Sequence, residues 1–497
     1  MPKLPSVLLL YNAPGAAAVS ATCRESDAGV LEEVAAVAAA LTELQVSHRQ
    51  AAIASLAELP PVLAASGEGV VFNLVESLAG EADAVNSVPA LCAAYGKACT
   101  GASSATLQLC LDKERTKAVL QAGGVPVPRG VAVAVNTQPS LESLPPGALL
   151  IKPCHTDGSE GIEAENCVFS RADERVLTGI RRLHERFGQT VLVEEFFGER
   201  ELQAALVTVN GQPKLLAVAE IDFKDFPAGQ PRLVDYAAKW LPESFAYHHT
   251  PRIVPAPLAP AMQQEVERLA VLAWELSGRP DYSRVDFRAD AAGRLAVLEV
   301  NPNPDIAPDA GYAAALTAAG MPYREFVRTL VIDAYERLPR LVIRPTVQAD
   351  RDAVLHACEA TGFFNPAELA IAAEVLDDAI HRGLASDYHS RTAIVHGRVA
   401  GWICYGHTAC TEATWDIYWI AVDPGCQGQG VGAALMRHAE AEIRRKGGKM
   451  AVLDTSGRAQ YVPTRGFYLK QGFALAAELA DFYAPGDAKV IFIKALV

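Results

Sequence analysis

The apolar positions along the chain fall into two alternating patterns. Short aliphatic or β-branched runs at residues 7–10, 70–72 and 191–193 have the length of buried strands. Between such runs, Ala-rich stretches such as residues 29–44 space their apolar side chains as one face of a helix does. Strand and helix alternate along the chain, which predicts an α/β protein with helices packed on its sheets. Residues 251–260, rich in proline, predict a surface loop, and His248-His249 before it read as structural rather than metal-binding. The pattern restarts once. Residues 335–339 end one run of elements and residues 341–344 begin a new strand, with no Gly/Ser-rich or charged linker between them. This places a boundary near residue 340, giving domains 1–340 and 341–497.

Length supports that division, because 497 residues exceed what one hydrophobic core organises. A net charge of −14 argues against a nucleic-acid partner, which needs clustered Lys and Arg. The one basic cluster, Arg444-Arg445-Lys446, reads as the solvated end of a helix. No stretch approaches 18 uninterrupted apolar residues, so no membrane span is expected. The first apolar run is soon broken by Asn12 and Pro14, which suits a buried first strand better than a signal peptide. Ten cysteines without a CxxC pair predict reduced thiols and a cytoplasmic protein.

Candidate chemistry in the first half lies in three segments. Leu149-Leu150-Ile151-Lys152-Pro153 is a strand ending in lysine, followed by His155-Thr156-Asp157-Gly158-Ser159-Glu160-Gly161. A loop of this kind brings backbone N–H groups to phosphates while Lys152 neutralises their charge. Val191-Leu192-Val193-Glu194-Glu195-Phe196-Phe197, with Glu201 after it, reads as a strand leading into a hinge beside a nucleoside. The strongest segment is Arg284-Val285-Asp286 with Val297-Leu298-Glu299-Val300-Asn301. Here Asp286, Glu299 and Asn301 interrupt buried strands and make an oxygen-only set suited to Mg²⁺ shared with a triphosphate.

Together with Phe72-Asn73-Leu74, Gly80-Glu81, Asp112-Lys113-Glu114-Arg115-Thr116-Lys117, Gly124-Val125-Pro126-Val127-Pro128 and Asp235-Tyr236-Ala237-Ala238-Lys239, these segments resemble the ATP-grasp superfamily. Within it they resemble the D-alanine–D-alanine ligase-like enzymes, over roughly residues 1–335. The resemblance implies three subdomains, about 1–100, 101–190 and 191–340, and commonly a homodimer. It also implies that ATP phosphorylates a carboxylate and that an amine then attacks to form an amide. Lys113, Lys152, Gly158, Ser159, Glu194, Glu195, Phe197 and Glu201 would bind ATP. Asp286, Glu299 and Asn301 would hold magnesium, two ions in all. Arg284 would stabilise the oxyanion, and Lys239 would sit near the phosphates or the acceptor.

The acceptor side departs from the family pattern. Glu76-Ser77 stands where a His-Gly pair is usual, ahead of Glu81. Asp305 and Asp309 occupy the stretch where a Ser-Leu pair normally holds the acceptor carboxylate. An acceptor with a cationic group near Asp305 or Asp309 is therefore expected, within a class of small amino-acid-type substrates.

In the second half, a strand at residues 415–422 precedes Asp423-Pro424-Gly425-Cys426-Gln427-Gly428-Gln429-Gly430-Val431-Gly432, and a helix opens from Ala433. Such a loop and helix start form an anion site. A later segment runs from Tyr461 through Tyr468 to Gly472-Phe473. The pair resembles the GCN5-related N-acetyltransferase (GNAT) fold, a mixed-sheet domain over residues 341–497. By that resemblance Gln427, Gly428, Gln429, Gly430, Val431 and Gly432, with Ile420 and Val422 on the strand, would bind acetyl-CoA, and Tyr468 would protonate the departing thiolate. Glu412 and Asp416 are the candidates for a group near the substrate amine. The combined expectation is a bifunctional ligase and N-acetyltransferase. The alternative is a ligase regulated by an acyl-CoA-binding domain that does not transfer, or that modifies a protein amine.

Overall fold

The computed structural model describes residues 4–13, 23–78, 83–163, 168–338, 341–395 and 397–496. The chain divides into two compact units. One comprises Met1–Pro60, Val70–Ala94 and Ala98–Arg337; the other comprises Leu338–Val497 with the short segments Pro61–Gly69 and Tyr95–Lys97.

The first unit contains three sheets. Strands β1 (Val7–Asn12), β2 (His48–Ile53), β3 (Val70–Leu74) and β4 (Ala98–Cys99) form a parallel sheet in the order β2-β1-β3-β4. Parallel strands need covering on both faces, and β1 and β3 are buried almost throughout. Helix α1 (Cys23–Glu43) packs on β1.

The second sheet, β5-β8-β6-β7, is antiparallel: β5 (Gly130–Val133), β6 (Ala148–Pro153), β7 (Val168–Ser170) and β8 (Val191–Glu195). The expected subdomain limit at residue 190 therefore cuts through a sheet, because Val191–Glu195 pairs with both β5 and β6. Helix α2 (Lys113–Ala122) begins at Asp112, whose carboxylate accepts the Arg115 N–H at 3.0 Å as an N-cap.

The third sheet runs β11-β10-β9-β12-β13, from β9 (Arg200–Val209), β10 (Gln212–Ile221), β11 (Arg252–Ile253), β12 (Tyr282–Ala289) and β13 (Leu295–Asn301). Helix α3 (Pro260–Leu276) carries proline in its first turn, where no N–H is needed, and buries Val266, Leu269, Ala270 and Ala273 against this sheet. Helices α4 (Gly311–Ala318) and α5 (Tyr323–Glu336) complete the unit.

The second unit is one seven-stranded mixed sheet, β14-β15-β16-β17-β18-β20-β19. Its strands are β14 (Val342–Pro345), β15 (His389–Val395), β16 (Arg398–His407), β17 (Thr414–Val422), β18 (Met450–Ser456), β19 (Ala474–Ala484) and β20 (Asp487–Ala495). Helix α6 (Val431–Arg445) buries Leu435, Met436, Ala439 and Ile443 on it, and α7 (Val462–Lys470) follows β18. Cys92, Cys99, Cys110, Cys154, Cys358, Cys404, Cys410 and Cys426 are free, and no helix among the described residues is long and apolar enough to cross a membrane.

Candidate active sites

The register of β12 and β13 sets the chemistry of the first unit. Asp286 pairs with Glu299 and Arg284 with Asn301, so all four side chains leave one face of the ladder. Between the Asp286–Glu299 and Phe287–Val297 pairs, Leu298 is left over as a bulge, which turns its side chain into the adjoining pocket. Arg284 donates two parallel bonds to Asp286, at 2.7 and 2.8 Å. Asn301 Oδ1 accepts the Asn303 N–H at 2.9 Å.

That pocket is lined by Lys113, Lys152, Lys239, Asp286 and Glu299 on its charged side. Its apolar wall is Leu150, Ile162, Phe196, Leu233, Val234 and Leu298. Burial works to raise the Glu299 carboxyl, but Lys113, Lys239, Lys152 and Arg284 overcome it and hold the group down at about 2. Burial and the neighbouring Arg284 lower the Lys239 ammonium. Four cations thus converge where two carboxylates stand, an arrangement that calls for further negative charge between them.

The loop beside Lys152 is pinned from two directions. Lys113 donates to the Thr156 carbonyl, and Trp240 Nε1 donates to the Gly158 carbonyl at 2.9 Å. Ser159 donates to the Val234 carbonyl at 3.2 Å, so the loop is tied to the segment leading into the short helix Tyr236–Trp240, which carries Lys239. Across the pocket, Arg288 donates to the carbonyls of Phe197 and Gly198 and stacks over Phe196 at 4.6 Å. It also donates to the Arg232 carbonyl at 2.6 Å and pairs with Glu201 at 3.4 Å.

Glu194 lines the same pocket as a buried ion-pair partner. Its carboxylate is fully buried between Lys117, at 2.8 Å, and Lys152, at 2.7 Å. Burial raises its proton affinity, but the two ammonium groups reverse this and leave it lowered. Lys117 in turn is lowered to about 8, mainly by burial, despite the pull of Glu194.

Among the described residues no three His, Cys, Asp or Glu side chains are grouped to hold a metal by themselves. Two carboxylates and a carboxamide are still a hard-oxygen donor set, which fits Mg²⁺ completed by phosphate oxygens.

On the acceptor side, the Glu76 N–H donates to Asn12 Oδ1 at 3.0 Å, at the carboxyl end of the parallel sheet. Asp305 accepts the Ala307 N–H at 2.8 Å, and the Ile306 N–H donates to Glu33 Oε1 at 2.7 Å. Burial, then Glu76 and Asp305, pushes the Glu33 carboxyl up to about 10, so it stays protonated at neutral pH. Asp309 is exposed. Glu81 lies outside the described residues.

In the second unit, β17 and β18 pair in parallel over three residues only, Thr414–Asp416 against Met450–Val452. Beyond Asp416 they part, and β17 carries a bulge at Tyr418 where its register with β16 shifts. Ile420 and Val422 lie on this diverging half. The turn after it is held by Asp423, which accepts the Gly425 N–H at 2.8 Å. Gln427 and Gln429 fold back onto the Val422 and Gly425 carbonyls, each at 3.1 Å. Gly428 (φ +74°) and Gly430 (φ +84°) take left-handed conformations, and Gly430 starts α6 without a capping side chain. A β-carbon on Gly432 would touch Val422 and Phe467, which brings α7 to the same corner. Tyr468 on α7 is 6 % exposed among Phe467, Phe473 and Phe492, and its hydroxyl is held above the usual tyrosine range by burial and then by Asp454. Asp416 accepts from Thr408 at 2.7 Å; Glu412 is exposed in the hairpin at the far end of β17 from the glycine loop.

Comparison with known proteins bears on both units. Residues 147–332 match the family model described as D-ala D-ala ligase C-terminus. The chain is 31 % identical over 307 residues to a D-alanine–D-alanine ligase of Caulobacter sp. (strain K31), covering 61 % of this chain and 88 % of that protein. The chain belongs to the D-alanine–D-alanine ligase family. The crystal structure of a D-alanine–D-alanine ligase from Bacillus anthracis complexed with ATP shares the fold at 14 % identity, with a TM-score of 0.52 over 67 % of this chain and 98 % of that one.

Joined to this ligase-family, ATP-grasp part is an acetyltransferase (GNAT) domain, matched at residues 387–475. A GNAT-family chain from Desulfovibrio desulfuricans is 39 % identical, covering 32 % of this chain and 99 % of that one, with a TM-score of 0.31. This ligase–GNAT fusion gathers Lys113, Lys152, Gly158, Ser159, Glu194, Glu195, Phe197, Glu201, Lys239, Asp286 and Glu299 around one pocket. Arg284 and Asn301 stand on the same ladder face. Sequence reasoning did not single out Lys117, although it lies one helical turn after Lys113, nor Asp157, Arg288, Glu33 or the apolar wall.

Proposed function

We propose that the ligase part forms an amide between a carboxylate and an amine, consuming ATP to ADP, and that the GNAT part acetylates a small amine from acetyl-CoA. The observation that carries the first reaction is the facing pair Asp286 and Glu299 ringed by Lys113, Lys152, Lys239 and Arg284. In this reading the donor carboxylate oxygen takes the γ-phosphoryl group, ADP departs, and the acceptor nitrogen attacks the acyl carbon and expels phosphate. Lys113 and Lys152 hold phosphate oxygens, and Glu194 orients Lys152 while keeping Lys117 charged. Magnesium, when bound at Asp286, Glu299 and Asn301, would neutralise charge on the transferring phosphoryl group. Arg284 faces the oxyanion of the tetrahedral species. The adenine lies against Phe196, Leu150 and Leu298, beside the hinge at Glu195–Phe197, and Glu201 approaches the ribose.

Acyl-phosphate chemistry is testable directly. With ATP, Mg²⁺ and the donor acid alone, added hydroxylamine should yield the donor hydroxamate and ADP; AMP formation instead would place the chemistry in another class.

For the GNAT part, the parted β17–β18 edge and the loop Gln427–Gly432 receive acetyl-CoA, the pyrophosphate on the loop and the start of α6. Tyr468 returns a proton to the thiolate. The cytoplasm, which supplies ATP and acetyl-CoA, is the setting. The burial of Tyr468 favours one second reading, a GNAT part that binds acyl-CoA as a regulator. Tyr468→Phe separates the two: a fall in acetyl transfer of about 10²-fold or more supports catalysis, and unchanged ligase control by acetyl-CoA with no transfer in wild type supports regulation.

A further inference from the structure

Six carboxylates line the pocket of the ligase part: Asp157, Glu194, Glu195, Glu201, Asp286 and Glu299. Five of them are committed. Glu194 is locked between Lys117 and Lys152, Glu195 pairs with Arg129 at 3.0 Å, and Glu201 pairs with Arg288. Asp286 accepts both bonds from Arg284, and the surrounding cations keep Glu299 ionised. The Asp157 side chain takes no hydrogen bond or ion pair from the described residues.

The backbone nevertheless fixes where Asp157 stands. It lies between two anchored carbonyls, that of Thr156 held by Lys113 and that of Gly158 held by Trp240. The Glu160 N–H donates to the Asp157 carbonyl at 3.0 Å, and Gly158 (φ +61°) and Ser159 (φ +63°) complete the turn in left-handed conformations. The residue is exposed, so a ligand entering the pocket can reach its carboxylate. The titratable groups facing it are Lys113 of α2, Lys239 of the short helix, Glu299 of β13, Glu160 of its own loop and the buried Cys110 thiol. The surrounding pocket raises the Asp157 carboxyl by desolvation; Lys113 opposes this, Glu299 adds to it and Lys239 opposes it.

An unpaired carboxylate beside a polyphosphate site calls for a cation, and amide formation brings one. An aliphatic amine is an ammonium ion at neutral pH and attacks only after losing a proton. As the C–N bond forms and the C–O bond to phosphate breaks, the nitrogen gives up two protons. One leaves with the phosphate as hydrogen phosphate. The other needs a base within reach of the nitrogen.

We infer that Asp157 binds the ammonium group of the acceptor and takes up its proton as the nitrogen attacks. The inference rests on the ligase reading and names the acceptor class: an aliphatic amine, cationic at neutral pH, rather than an alcohol or an arylamine. Holding that nitrogen on an anchored loop also orients it toward the acyl carbon.

The test uses full-length protein, after ATP, Mg²⁺ and a panel of amino acids have identified a pair that wild type joins. Hydroxylamine, uncharged at neutral pH, then replaces the acceptor as a nucleophile that needs no base. Asp157→Asn should lower kcat for amide formation about 10²-fold or more, the range of general-base catalysis. Hydroxamate and ADP formation with hydroxylamine should stay within about threefold of wild type, which also reports that the variant is folded. Amide formation by Asp157→Asn should climb about tenfold per pH unit until the free amine prevails, while Asp157→Glu should recover part of the neutral-pH rate. An equal fall in both reactions, or a raised Mg²⁺ requirement, would assign Asp157 to phosphoryl transfer or metal and overturn the inference. Unchanged amide formation would overturn it as well, leaving the ligase reading intact. Absence of ADP and hydroxamate in wild type with every donor counts against the ligase reading, and the inference falls with it.

Discussion

Asp286 stands directly across the β12–β13 ladder from Glu299. Directly opposed like charges repel, and the pair persists because Arg284 caps one carboxylate and three lysines surround the other. The protein has stored, in two strands, an anion pair that a divalent cation and a polyphosphate would complete.

Asp286→Asn and Glu299→Gln should each lower ADP formation by about 10²- to 10³-fold. Nucleotide binding measured without Mg²⁺ should change little, which separates loss of chemistry from loss of fold. Turnover within tenfold of wild type in both variants would remove these residues from phosphoryl transfer.

Acid should destabilise the ligand-free ligase part through Glu299. Its folded-state pKa of about 2 lies below the ordinary 4.5, so between these values the unfolded chain binds the more protons. The stabilisation from its ionised form is present above about pH 4.5 and is lost as pH falls through about 2. Denaturant melts from pH 6 to 2.5 should show a steeper decline for wild type than for Glu299→Gln. Parallel profiles would contradict the assigned cation cage.

Glu194→Gln should be among the most damaging substitutions in the chain. Both lysines it pairs are nearly inaccessible, Lys152 at 3 % and Lys117 at 7 %. Removing one member of a buried ion pair costs about 3–5 kcal/mol, because the remaining charge has nothing to offset its burial. Chemical denaturation would read this; a change under 0.5 kcal/mol would mean that the triad is solvated.

Gly430→Val should weaken acetyl-CoA binding at least tenfold by calorimetry. A β-branched residue at φ +84° is strained by roughly 1–2 kcal/mol and would reshape the start of α6. Unaltered affinity would show that the loop does not hold the pyrophosphate.

Much of this was legible in the sequence because strands carry a period of two. Arg284 and Asp286, like Glu299 and Asn301, must share a face whatever the rest of the fold does. The glycine loops were legible for a related reason: left-handed backbone at Gly428 and Gly430 selects glycine. Lys117 was within reach, since a residue four positions after Lys113 on α2 shares its face. Glu194 was not, because its partners come from α2 and β6, brought together only by tertiary packing. The Leu298 bulge left no mark in a run that otherwise reads as a regular strand.

The most direct measurement is the fate of ATP in the purified protein given Mg²⁺ and a panel of amino acids, with nucleotide analysis and product masses. The account predicts ADP and phosphate in step with a new amide mass, abolished by Asp286→Asn, and a further acetyl increment when acetyl-CoA is supplied. Release of AMP, or an amide formed equally well by Asp286→Asn, would contradict it.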